Sequence, residues 1–216
     1  MNSKEQMVAQ FQNLLNSHDR SDYEKWFEEI ANMLMNNFCI KSGENLYRVV
    51  ECEFYYHNEK NHYDINTHQK DEQLKFCTWY FNDFGLDLTF GSISQNIHAG
   101  ILIRGIRNIN KSISLEKCYH SGPMKVLREL IDNSGSVFNN TGINLIPYDD
   151  KFEDNRIYKS IRVNLSKDDN KDKKYRFLVE FNKYHDFKEK ENVVLNSGLS
   201  KEEQKELLGY SLNDNR

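Results

Sequence analysis

The densest run of chemically capable groups is Glu51-Cys52-Glu53-Phe54-Tyr55-Tyr56-His57, followed by His62, Asp64 and His68. Side chains alternate along a strand, so Glu51, Glu53, Tyr55 and His57 share one face if this run is extended. Two ionised carboxylates cannot enter a core without partners, because desolvating a charge is costly. Two arrangements satisfy that constraint: a polar pocket in which Glu53 acts as a base beside aromatic rings, or a solvated strand face with salt bridges. His57, His62, Asp64 and His68 also carry metal-ligating atoms, but their spacing matches no compact helical zinc motif, and no metal is expected. Trp79-Tyr80-Phe81 and Phe84 form a second aromatic group, suited to a core or to a pocket that stacks a base. Arg104 closes the apolar run Gly100-Ile101-Leu102-Ile103 and sets a guanidinium at a strand end, where it serves an ion pair or a phosphate.

The elements that must position these groups follow from periodicity. Short β-branched and aromatic runs predict strands at Leu46–Tyr56, Phe76–Phe81, Leu86–Phe90, Gly100–Ile106, Ile157–Leu165 and Tyr175–Phe181. Ser166–Lys174 reads as a charged, flexible connection between the last two. Upstream, Met7, Phe11, Leu14 and Leu15 fall at helical spacing, and a capping box at Ser21-Asp22-Tyr23-Glu24 opens a second helix carrying Trp26, Phe27, Ile30, Leu34 and Phe38. Gly122-Pro123 precedes a short helix over Met124–Ile131, and a capping box at Ser200–Glu203 opens a C-terminal one. The expectation is a single α+β domain. Residues 1–40 form a helical hairpin packed on residues 41–190, which hold a central, curved antiparallel sheet, and residues 191–216 form a helical tail among short peripheral helices.

Composition bounds the rest. In 216 residues, 38% hydrophobic and 12% aromatic content supports one packed core, and near-balanced charge argues against disorder. No apolar run approaches the ~20 residues of a membrane span. Met1–Asn16 lacks the apolar stretch of a signal peptide, so the cytosol, or a nucleus, is the expected compartment. Cys39, Cys52, Cys77 and Cys118 form no C-x-x-C pair, which leaves neither a zinc site nor a disulfide framework supported. A net charge of -4 is unpromising for a partner bound through phosphates. The deficit is uneven, however: residues 1–40 hold 3 basic and 6 acidic side chains, whereas residues 151–190 hold 12 and 8.

Read in order, these segments resemble the alkyladenine DNA glycosylase family, which removes alkylated purines from DNA. The resemblance rests on Arg48-Val49-Val50-Glu51-Cys52-Glu53-Phe54-Tyr55, His68, Trp79-Tyr80-Phe81-Asn82-Asp83-Phe84-Gly85, Ile101-Leu102-Ile103-Arg104, Ser121-Gly122-Pro123 and Tyr175-Arg176-Phe177-Leu178. It implies that Glu53 is the general base that activates water for attack at C1′ of a flipped nucleotide. It further implies that Tyr55, His68 and Phe81 sandwich the base, that Phe84 is the wedge filling the vacated stack, and that Arg104 holds the nucleotide's phosphate. No cofactor is implied, and the partner is DNA containing a damaged or modified base, engaged by a monomer. The chain departs from the pattern in several places. The Tyr55 to His68 interval is four residues longer, Phe81 replaces a tyrosine, Phe54 replaces a small residue, and the asparagine at the pocket's gate is not recognisable. A binding module that recognises a modified nucleotide without cutting, and a glycosidase acting on free nucleosides or nucleotides, are the alternatives on the same scaffold.

Overall fold

A computed structural model of the chain describes residues 2–110, 112–135, 142–165, 170, 172–210 and 212. Helix α1 (Ser3–Leu15) starts at a capping box in which Asn2 and Glu5 satisfy each other's backbone N–H groups. Helix α2 (Tyr23–Asn37) is capped by Asp22, which accepts from the Lys25 N–H at 3.0 Å. The box expected on Ser21 is therefore replaced by a single cap one residue on, a carboxylate that also favours the positive end of the helix dipole. Phe11, Leu15, Trp26, Phe27, Ile30 and Leu34 are buried, and α2 passes directly into β1 (Phe38–Ser42).

The described strands form one antiparallel sheet of nine, with the path β3-β4-β5-β2-β1-β7. These are β2 (Asn45–His57), β3 (Phe76–Asn82), β4 (Gly85–Phe90), β5 (His98–Asn108), β6 (Tyr119–Ser121), β7 (Ile143–Pro147), β8 (Tyr158–Ser160) and β9 (Arg176–Leu178). β6 pairs with β5, β9 with β2, and β8 with β9. The sheet curves into a half-barrel with helices at both ends, so the molecule is an α+β domain. β2 carries a bulge between Val49 and Cys52, and Gly105 stands opposite it. A Cβ on Gly105 would lie 2.9 Å from that of Glu51, so the bulge and the bend it gives the sheet need glycine there.

Alternation then sorts the residues. Cys52, Phe54 and Tyr56 of β2, Ile101 and Ile103 of β5, and Leu86, Leu88 and Phe90 of β4 are buried in one core with α1 and α2. Phe27 stacks on Phe54 with ring centroids 4.7 Å apart. Each such buried ring contributes about 1.5–3 kcal/mol relative to exposure. Glu51, Glu53 and Tyr55 point to the other face, beside Leu102, Arg104 and Asp87.

Three further expectations change. Arg104 sits inside β5 rather than at its end, because the strand continues through Gly105, Ile106 and Arg107. Of Ile157–Leu165 and Tyr175–Phe181, only Tyr158–Ser160 and Arg176–Leu178 are strand. The following residues leave the ladder because Arg162 and Val163 turn toward Asp64 and Glu53, and Glu180 takes a φ of 54°. Within the expected Ser166–Lys174 connection, residues 166–169 and 171 lie outside the described residues. Helix α3 (Pro123–Asp132) begins at proline, α4 spans Lys190–Asn196, and α5 (Lys201–Leu208) starts at the Ser200/Glu203 capping box. Among the described residues, no helix is long and apolar enough to cross a membrane.

Candidate active site

A cavity of about 800 Å³ opens on the polar face of the sheet. β2 supplies Glu51 and Tyr55, β5 supplies Leu102 and Arg104, and β4 supplies Asp87. His68, the β3–β4 turn at Phe84, the start of α3 and the Val163–Leu165 segment complete the wall. Ile65, Phe84 and Met124 line it while remaining 54%, 60% and 52% exposed, which gives the cavity an apolar rim.

Glu53 lies one layer beneath, with no exposed surface. Its Oε2 accepts from the Tyr55 hydroxyl at 2.9 Å and from Arg104 Nη1 at 3.3 Å, and its Oε1 accepts from the Val163 N–H at 2.7 Å. Tyr55, Arg104 and Val163 all line the cavity. Three of the roughly four acceptor positions of the carboxylate are filled, which leaves one for a water. Burial pushes the Glu53 carboxyl above the ordinary carboxylate range, against the opposing pull of Arg104 and the Val163 N–H. Glu51 is held by Arg104 Nε at 2.9 Å and by Arg176 Nη2 at 2.8 Å. Glu51 and Glu53 are therefore not solvated; both are buried and neutralised by arginine.

The site residues named from the sequence divide accordingly. Tyr55, His68, Phe84 and Arg104 converge on the cavity, with Glu53 directly below. His68 packs against Phe84 at a centroid distance of 4.9 Å, and burial lowers its pKa, which favours the neutral imidazole. Arg104, expected at a phosphate, is instead 7% exposed and committed to Glu51 and Glu53. Phe81 is not on the cavity. It stands opposite Leu86 in the β3–β4 ladder and so shares the core-side face of the sheet, half-exposed at the edge, whereas the neighbouring Asn82 lines the cavity. His62 is occupied structurally, between the Tyr56 carbonyl and the Tyr175 hydroxyl, each at 2.8 Å. Asp64 is gripped by Arg162 at 2.6 and 3.2 Å. Among the described residues, no group of three His, Cys, Asp or Glu side chains is placed to hold a metal.

Sequence reasoning missed Asp87, Arg162 and Arg176. Arg162 also donates to the Phe54 carbonyl at 3.0 Å and stacks over the Tyr55 ring at 4.7 Å. Asp87 did carry a signal, since it is the one acid in the apolar alternation Leu86-Asp87-Leu88-Thr89-Phe90. For the arginines, nothing local distinguished buried partners from surface charge.

No family model matches the chain. It is similar to an uncharacterized protein of Acanthamoeba polyphaga mimivirus, with 26% identity over 204 residues that cover 77% of this chain and 92% of that protein.

Proposed function

We propose that the protein hydrolyses the N-glycosidic bond of a modified nucleotide swung out of DNA, with Glu53 taking a proton from the water that attacks C1′. The supporting observation is the convergence of Tyr55, His68, Phe84 and Arg104 on one cavity directly over Glu53. Burial raises the Glu53 carboxyl, against the pull of Arg104, which is the direction that strengthens it as a base. Arg104 neutralises the carboxylate and orients it. The volume falls within the range of about 300–1,000 Å³ that small-molecule sites occupy. In single-turnover excision from oligonucleotides carrying alkylated or deaminated bases, read as alkali-labile breaks, Glu53→Gln is expected to be slower by about 100-fold or more. Equal rates, or no excision by the unaltered chain over the whole panel, would overturn the reading.

Phe84 supports DNA rather than a free nucleotide as the partner, because an exposed ring beside the cavity mouth suits insertion into a base stack. Phe84→Ala is expected to leave stability within about 0.5 kcal/mol, as for other exposed side chains. It should weaken binding to a modified duplex about tenfold, as loss of one stacked base does. Unchanged affinity would remove the wedge from the reading. Binding should also be weak and only shallowly salt-dependent. Arg162 and Arg176, part of the basic surplus of residues 151–190, are buried against Asp64 and Glu51 and lend little to an external phosphate contact.

One observation favours a second reading, recognition of the modified nucleotide without cleavage: Glu53 is fully buried and already held by three donors. That version predicts modified-duplex binding that survives Glu53→Gln and is accompanied by no excision.

A further inference from the structure

Asp87 is a buried carboxyl with no ion pair among the described residues. It is 4% exposed, in the middle of β4, and faces the cavity. Asn82 is the group that pulls its proton affinity down, and among the described residues no cation opposes its charge. Gly100 of β5 makes its space, since a Cβ there would lie 3.1 Å from Asp87 Oδ2. Asp87 stands opposite Leu102, and Leu102 stands opposite Glu53, so the two carboxyl residues occupy one row of the sheet with a single leucine between them. Two strand spacings separate their backbones by about 10 Å. Paired carboxyl groups set somewhat under that distance apart, one acid and one base, are the arrangement that hydrolyses glycosidic bonds by direct attack of water.

We propose that Asp87 is the acid of a carboxyl pair with Glu53, protonating the departing base while Glu53 receives a proton from the attacking water. This rests on the hydrolytic reading above. The bond from water oxygen to C1′ forms as the C1′–N bond breaks. The electron pair of the broken bond passes to the ring nitrogen of the base, which takes the Asp87 proton. One water is consumed, the free base and an abasic sugar leave, and exchange with solvent returns both carboxyls to their starting states.

Burial pushes the Asp87 carboxyl up to about 7, so a large fraction carries a proton near neutrality. The titratable groups around it leave that state intact. From β2, Tyr55 and Glu51 face the cavity, Glu51 already paired, and from β5 Arg104 is committed to two carboxylates. Tyr80 of β3 stands opposite it in the ladder, and His68 is biased toward its neutral form. Lys125 of α3, Asp186 and Lys188 also line the cavity.

The test compares Asp87→Asn with the unaltered chain on two duplexes, one with a neutral base such as hypoxanthine, the other with cationic 7-methylguanine, which departs without needing a proton. Excision of the neutral base should fall about 100-fold more than that of the cationic base. The unaltered chain should lose neutral-base activity as pH rises through about 7, as the Asp87 carboxyl ionises, and the variant should not. Asp87→Asn should meanwhile be more stable than the unaltered chain at pH 8 and little different at pH 4. The folded carboxyl binds its proton more tightly than the unfolded one, so ionisation costs the native state increasingly as pH rises. Equal losses on both bases overturn the acid role while leaving hydrolysis standing, and no excision by the unaltered chain overturns hydrolysis itself. Carbon NMR titration of the Asp87 carboxyl decides independently of activity: a midpoint near 7 supports the proposal, and one near 4 ends it.

Discussion

Arg104→Met is expected to lower the free energy of unfolding by about 3–5 kcal/mol at pH 7, the usual cost of removing one partner from a buried ionic group. The residue is 7% exposed and its side chain bonds two carboxylates that are themselves buried. Without it, Glu51 keeps Arg176, but Glu53 retains only the Tyr55 hydroxyl and the Val163 N–H. Methionine fills much of the volume, so the loss reports charge rather than a cavity. The sign with pH follows from the direction of the Glu53 shift. Burial already raises that carboxyl above its ordinary value, and losing the guanidinium raises it further. The variant's deficit should therefore grow as pH rises through neutrality and shrink toward pH 4, as the carboxyl protonates. Urea unfolding at pH 5 and pH 8 measures both numbers. An arginine free to hold a phosphate would show almost no stability loss and a reduced salt slope of DNA binding instead. A deficit below about 1 kcal/mol at both pH values would therefore return Arg104 to the phosphate role.

The contrast shows what the sequence can and cannot convey about such a site. The strands that carry it were legible because each buries one face under α1 and α2 and so imposes a strict alternation: Cys52, Phe54 and Tyr56 inward, Glu51, Glu53 and Tyr55 outward. That Tyr55 stands over Glu53 follows from this period alone. Phe81 failed on the same rule. In β3, Trp79 and Phe81 alternate with Tyr80 and Asn82, both sets contain aromatics, and only the ladder to Leu86 decides which set meets the core. β1 was hidden because Phe38, Cys39 and Ile40 prolong the apolar pattern of α2, and their extended form is set by pairing with β2 and β7, distant in sequence. The arginine partners were illegible for a related reason. Arg162 and Arg176 reach Asp64 and Glu51 across 98 and 125 positions, and no local pattern encodes a contact of that range.

These long-range pairs also explain why the polar face tolerates so many charges. Arg48, bonded to Glu180, to the Met35 carbonyl at 2.9 Å and to Asn36 at 2.6 Å, repeats at the far end of β2 the arrangement of Arg104 and Arg176 around Glu51. Arg48 and Arg176 divide their donors between carboxylate and backbone, and Arg104 gives its donors to two carboxylates, which is what makes burial of these ion pairs bearable. Asp87 is the exception on this face, a carboxyl without a cation among the described residues, and the contrast with its neighbours is what marks it.

Asp64→Ala should produce the other large loss, again about 3–5 kcal/mol at pH 7, by leaving the Arg162 guanidinium buried without its carboxylate. Both side chains are fully buried, and the pair is bidentate. Arg162 more than offsets the burial that would otherwise raise the Asp64 carboxyl, and the net shift is downward from 3.8. A depressed folded value means that Asp64 stabilises the native state fully above about pH 4, its ordinary range, and loses that contribution as pH falls through the folded value. The gap between the two proteins should therefore be constant from pH 5 to 8 and narrow only in strong acid, opposite to the trend for Arg104→Met. Function should follow stability here by a defined route. Asp64 holds Arg162, Arg162 stacks on Tyr55 at 4.7 Å, and the Tyr55 hydroxyl bonds Glu53. Removing Asp64 thus frees the ring that covers the proposed base, although Asp64 itself is absent from the cavity wall. Restoring stability with an osmolyte should rescue folding and leave excision impaired, because packing pressure does not replace the hydrogen bonds that orient Arg162. Full recovery of the rate along with the fold would confine Asp64 to a structural role and detach Tyr55 from the chain of contacts that begins there.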